Sequence, residues 1–102
     1  MSHISRARLI FEYKARQGDL LLQMVLWQLS RPTPDRPHSI KYRLYLGCRG
    51  LTLVRYDNEA GKGDHRHVGG TEDQEPYRFL SVEQLLSDFR EDCAGHGWRW
   101  SE

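Results

Sequence analysis

The sequence predicts an α+β domain, an antiparallel meander sheet of four to five strands with one C-terminal helix packed on one face. Three observations predict it. Runs of alternating apolar and polar residues fill the first half of the chain, glycine-bearing turns separate those runs, and one apolar stripe at helical spacing follows Ser81. With 102 residues, the span 1–102 reads as a single domain.

The first run is Arg8 to Arg16, where Leu9, Phe11, Tyr13 and Ala15 share one parity and Arg8, Ile10, Glu12, Lys14 and Arg16 the other. Gln17-Gly18-Asp19 then turns the chain. Leu20 to Leu29 is apolar on both parities, which predicts a central strand covered on both faces. Three of the four prolines fall in 30–37, so that stretch must be a connecting loop. Ile40, Tyr42, Leu44 and Leu46 alternate with Lys41, Arg43 and Tyr45, and Gly47-Cys48-Arg49-Gly50 leads into Leu51, Leu53 and Val54, a second hairpin. From Asp57 to Pro76 four glycines lie among charged residues and histidines, predicting a long loop with at most one short strand. Tyr77-Arg78-Phe79 is a further short strand candidate. Ser81 with Gln84 three residues on has capping-box spacing, and Val82, Leu85, Leu86, Phe89 and Cys93 form the stripe that Gly95 or Gly97 ends. The expected core is then Leu9/Phe11/Tyr13, Ile40/Tyr42/Leu44 and the helix stripe.

A mean hydropathy of -0.73 and the lack of any apolar run near the ~18 residues a bilayer requires predict no transmembrane helix. Met1 to Arg6 lacks the apolar core of a signal peptide, so the expected location is the cytoplasm. Cys48 and Cys93 make no C-x-x-C and predict reduced thiols. The formal net charge of +1 conceals an asymmetry: residues 1–56 hold ten Lys/Arg against three acids, and residues 57–102 hold five against eleven. Strand parity puts Arg8, Lys14, Arg16, Lys41, Arg43 and Tyr45 on the face opposite the core. Interleaved Arg and Tyr there suit phosphates and stacked bases, although a merely solubilising surface would carry the same cations.

Reactive groups concentrate in Tyr56-Asp57-Asn58-Glu59 and Gly61-Lys62-Gly63-Asp64-His65-Arg66-His67. Histidines two apart share a face of an extended chain, with Asp64 and Arg66 on the other side. Two imidazoles can supply a base and an acid for phosphodiester cleavage. Lys62 and Arg66 are the candidate phosphate ligands, Asp57 would orient a histidine or bind ribose, and Tyr56, Asn58, Arg8, Lys41 and Arg43 are candidate substrate contacts. The competing readings are a metal site built from His65-x-His67 with Asp57 or Asp64, and a solvated turn without chemistry. His3, His38 and His96 read as exposed, Trp98 and Trp100 as packing, and Ser81 as a cap.

These same residues, with Tyr77-x-Phe79, Leu85-Leu86-x-Asp88-Phe89, Met24-Val25-x-Trp27 and Lys41-Tyr42-Arg43, resemble the TumE-type toxins of bacterial toxin–antitoxin modules. The resemblance implies a toxin neutralised by a cognate helix-turn-helix antitoxin, expected from the adjacent gene. Analogy with other small toxins extends it to RNA as target and to ribonuclease action, and the histidine pair makes the expected activity that of a metal-independent endoribonuclease needing no cofactor. The alternative is a non-catalytic module that binds nucleic acid or protein and inhibits by occupancy. One departure from the family pattern is the acidic stretch Thr71-Glu72-Asp73-Gln74-Glu75.

Overall fold

A computed structural model of the chain describes residues 7–59, 61–69 and 74–101. The elements, in chain order, are β1 (Ala7–Gln17), β2 (Leu20–Leu29), β3 (Ile40–Cys48), β4 (Leu51–Asp57), β5 (His65–Val68), β6 (Glu75–Pro76) and α1 (Val82–Ala94). All six strands form one open antiparallel sheet in the order β1-β2-β3-β4-β5-β6, each strand beside its sequence neighbour. The fold is the expected α+β meander with a C-terminal helix. Among the described residues it has six strands because the glycine- and histidine-rich stretch contributes β5 and β6. Tyr77–Phe79 is not a strand: Pro76 has no N–H with which to continue the ladder.

Directly paired residues of antiparallel strands share a face. One face therefore carries Leu22, Met24 and Leu26 of β2, Tyr42, Leu44 and Leu46 of β3, and Val54 and Tyr56 of β4, all buried. Helix α1 lays Leu85, Phe89 and Cys93 over this face, and Trp98 closes the core beyond it. The Ser81 hydroxyl caps the helix by accepting from the Gln84 N–H at 3.0 Å. The Gln84 side chain turns to Asp88 instead of back to the cap, so the reciprocal half of the box is unmade. Gly95 is the C-cap, and Gly97, at φ 98°, redirects the chain so that the Trp98 N–H reaches the Cys93 carbonyl.

Three expectations about burial are overturned. Leu9, Phe11 and Tyr13 are not core: they are 44%, 40% and 46% exposed, Phe11 and Tyr13 because β1 is the edge strand and the helix lies over β4, and Leu9 because it pairs with Trp27 on the helix-free face. Strand β2 is covered on one face only, leaving Leu21, Val25 and Trp27 half-buried on the other. His38 is not exposed; it stacks on Phe79 at 3.9 Å and contacts both Asp64 carboxylate oxygens at 3.0 and 3.1 Å.

A register shift between Leu9 and Phe11 has a further effect. Lys14 and Arg16 share the helix-free face with Gln23 and Leu21, Lys41 pairs with Trp27 there, and Arg43 with Val25. Arg8, beyond the irregularity, pairs with Gln28 and falls on the helix side. Of the cations assigned to the open face, Arg8 is the one displaced. His3 and residues 71–73 of the acidic stretch lie outside the described residues.

Candidate functional site on the open sheet face

The β4–β5 hairpin divides its reactive residues by parity. Arg55 pairs with His67 and Asp57 with His65, and these four share the open face; Tyr56 pairs with Arg66 and Val54 with Val68 on the helix side. The hairpin loop is positioned from the helix side. Asn58, fully buried, accepts from the Tyr42 N–H at 3.1 Å and donates to the Ile40 carbonyl at 2.7 Å and to Asp64 at 3.1 Å. Asp64 also accepts from the Tyr42 hydroxyl at 2.7 Å, and Arg36 donates to the Asn58 carbonyl at 2.8 Å. Burial, then the bond to Asp64, drives the Tyr42 phenol well above its ordinary ionisation range. Gly61 and Gly63 take φ values of 84° and 71°, where a β-carbon is strained, and this lets a short loop bring His65 back beside Asp57.

His65 Nε2 lies 2.5 Å from Asp57 Oδ1, and its Nδ1 lies 3.1 Å from the Gly63 carbonyl oxygen. Both ring nitrogens face acceptors, an arrangement that the imidazolium satisfies at each end and either neutral tautomer at only one. The contact to Asp57 is close but off-line, so Oδ1 has no hydrogen bond of good geometry. Arg55 Nε stands 3.5 Å from Asp57 Oδ2. Among the described residues, the buried side-chain polar atoms without a hydrogen-bond partner are Arg55 Nε, Asp57 Oδ1 and His67 Nδ1. All three belong to this face and to adjacent positions of one hairpin. Buried orphan donors and acceptors cost stability, and their clustering calls for a functional explanation.

The sequence-predicted residues separate into two sets. His65, His67 and Asp57 come together, with Arg43 directly opposite Asp57 on β3 and Lys41 two residues away. Lys62 is exposed, 3.7 Å from Glu59, at the rim of a cavity of about 340 Å³ that His65 also lines. Arg66 is on the other face, with Nε 2.5 Å from Glu75 and Nη1 3.1 Å from the Tyr56 hydroxyl. The bonds to Tyr56 and then Glu75 hold its guanidinium protonated even more firmly than usual. Tyr56 is fully buried between Tyr77 and Phe89, and its hydroxyl bonds Asp92 at 2.5 Å. Asn58 is spent on backbone groups, and Arg8 lies at the far edge strand. Arg55 was missed by sequence reasoning. Its signal was parity with Asp57, two residues on, in a strand whose other parity is Val54 and Tyr56. Asp64, one arm of the metal reading, is taken up by His38, Tyr42 and Asn58, and among the described residues no three His, Cys, Asp or Glu side chains gather as a metal site.

No helix among the described residues is long and apolar enough to cross a membrane. A family model described as Toxin TumE matches residues 2–96. No curated protein and no solved structure is significantly similar to the chain.

Proposed function

We propose that this chain, which belongs to the TumE toxin family and is thus the toxin component of a toxin–antitoxin system with an antitoxin partner, acts in the cytoplasm as a metal-independent endoribonuclease. The observation that carries the reading is the cluster of orphaned buried groups, Arg55 Nε, Asp57 Oδ1 and His67 Nδ1, beside His65 on the sheet face that the helix leaves open.

In this reading His67, whose Nδ1 has no partner within the described protein, accepts the proton of an RNA 2′-hydroxyl. The 2′ oxygen attacks phosphorus, and the bond from phosphorus to the 5′ oxygen breaks. His65, which can carry protons on both nitrogens, returns one to that leaving oxygen. Asp57 positions His65. Arg55 takes the place that the sequence pattern gave to Arg66 and stabilises charge on the non-bridging oxygens, with Lys62 at the cavity rim. The reading is metal-independent because side chains take both proton transfers and the charge stabilisation. The partner is proposed to be a helix-turn-helix antitoxin from the adjacent gene, and co-purification of the two gene products checks it.

The test is cleavage of a labelled RNA by the purified chain in a chelator. His65→Ala and His67→Ala each lower the rate by about 10²- to 10⁴-fold. RNA that stays intact while the expressed chain arrests growth would exclude the nuclease. A second reading, inhibition by occupancy, has its own support: the imidazoles are only 8% and 5% exposed. Binding with a steep salt dependence and no cleavage by wild type marks that outcome.

A further inference from the structure

The open face carries a groove that reaches Asp57, the carboxylate that His65 contacts. One cavity of about 200 Å³ is floored by Val25 and Trp27 and walled by Lys41, Arg43, Asp57 and Glu59. A second, of about 540 Å³, shares Val25 and Arg43 with it and continues to Glu12 and Lys14 on β1. Register joins them into one row, Glu12–Val25–Arg43–Asp57–His65, crossing five strands. At the usual strand spacing that row is about 19 Å long.

The chemistry of this groove is mixed. Lys14, Arg16, Lys41, Arg43 and Arg55 outnumber Glu12, Asp57 and Glu59 along this face and its groove, so it favours an anion. Its floor is apolar, with Val25 and the Trp27 indole half-buried and covered by no helix. A polyanion with flat apolar faces satisfies both. Tyr45 is the other aromatic on this face, but its ring lies against Gly47, where a β-carbon would collide with it, and Arg43 stands 5.2 Å from its centroid. Trp27 is the aromatic left with a groove above it. Glu59, exposed at the groove wall, places an acceptor suited to the amino group of a base. A duplex hides base faces in its stack, whereas an unpaired strand can splay a base onto an aromatic ring.

We propose that the groove binds single-stranded RNA, with one unpaired base stacked on Trp27 and the phosphates beside it held by Lys41 and Arg43, which delivers the next linkage to the Asp57–His65 pair. The identity of the ligand rests on the ribonuclease reading. The binding mode does not require that cleavage occur.

The test is a fluorescence titration of the full chain with a single-stranded 2′-O-methyl oligoribonucleotide, which has no 2′-hydroxyl to react. Binding quenches tryptophan emission, and Trp27→Phe abolishes most of that quench while keeping affinity within a few-fold. Trp27→Ala weakens binding by about tenfold, the loss of one base stack. Lys41→Ala and Arg43→Ala each reduce the slope of log affinity against log salt by about 0.7. The same oligonucleotide annealed to its complement binds at least tenfold more weakly. Equal affinity for the duplex, an unchanged affinity of a folded Trp27→Ala, or quenching by polyglutamate but not by RNA overturns the proposal. Binding with these signatures but no cleavage of ordinary RNA removes the nuclease and keeps the groove. Cleavage that is indifferent to Trp27→Ala keeps the nuclease and removes the groove.

Discussion

The two faces of the sheet are built from alternate residues of the same strands, yet they treat polar groups in opposite ways. On the helix side Tyr56 bonds Asp92, Tyr77 bonds Asp88, Arg66 bonds Glu75, and Asn58 satisfies three partners. On the open side Arg55, Asp57 and His67 each retain a buried polar atom with no partner. The covered face is optimised for stability. The open face pairs Asp57 with His65 and Arg55 by charge at 2.5 and 3.5 Å but leaves these groups short of well-aligned hydrogen bonds, a condition that suits a reactive site and that a core avoids. Asp57 and Tyr56, or His65 and Arg66, are chain neighbours with a sheet between their side chains.

The largest expected effect tests the covered face. Phe89 is fully buried and meets the Tyr56 ring edge-on at 5.7 Å. Phe89→Ala costs about 3–5 kcal/mol, a large part of the roughly 5–15 kcal/mol that holds a small domain. Chemical denaturation reads it as a lowered midpoint or as loss of the transition. A loss under about 1 kcal/mol would mean that the helix is not what holds this face. Asn58→Ala is next, about 2–4 kcal/mol, because it strands the buried Tyr42 N–H and Ile40 carbonyl. It also frees the loop that carries His65, so any nuclease activity falls with stability. Stability that is unchanged would show that water replaces the side chain.

The open face answers differently. His67→Phe removes an orphaned buried nitrogen and keeps an aromatic ring, so stability stays level or rises by about 1 kcal/mol. RNA cleavage is lost in the same variant. If His67→Phe instead loses 2 kcal/mol or more, His67 belongs to the structural network and the contrast between faces is broken.

The meander, the cap and the helix stripe were legible in the sequence because each is a local pattern: parity within a strand, a glycine at a turn, Ser81 before Gln84. The pairing of His65 with His67 on one face was legible for the same reason. Coverage was not. Leu9, Phe11 and Tyr13 alternate as a half-buried strand does whether or not a helix reaches them, and a helix ~10 Å wide cannot span six strands about 24 Å across. The phase of Arg8 was hidden by the irregularity between Leu9 and Phe11, which no residue announces. The site residues Arg66, Tyr56 and Asn58 were grouped with the histidines by nearness in sequence, and only register separates them. Arg55 needed the same register, since an arginine in a strand otherwise reads as solvated surface.

The smallest expected effect concerns how the loop between the faces is held from a distance. Asp35, on the β2–β3 connection, accepts from the Gly61 N–H at 2.5 Å and from the Thr33 hydroxyl at 2.7 Å. Those bonds, the Gly61 amide first, lower its carboxyl below the ordinary value of 3.8. A group depressed in the folded state stabilises above its unfolded value and stops doing so as pH falls through the folded one. The contribution is therefore complete at neutral pH and is lost only in acid below 3.8. Asp35 is half-buried on a surface connection where solvent screens its charge, so the consequence is local order of the loop at Gly61, not global stability. The Gly61 amide proton resonance should titrate with a midpoint below 3.8, and Asp35→Asn should abolish that titration while leaving the denaturation midpoint in place. A midpoint at or above 3.8 would release the loop from this tether and leave Asn58 and Asp64 to position His65 alone.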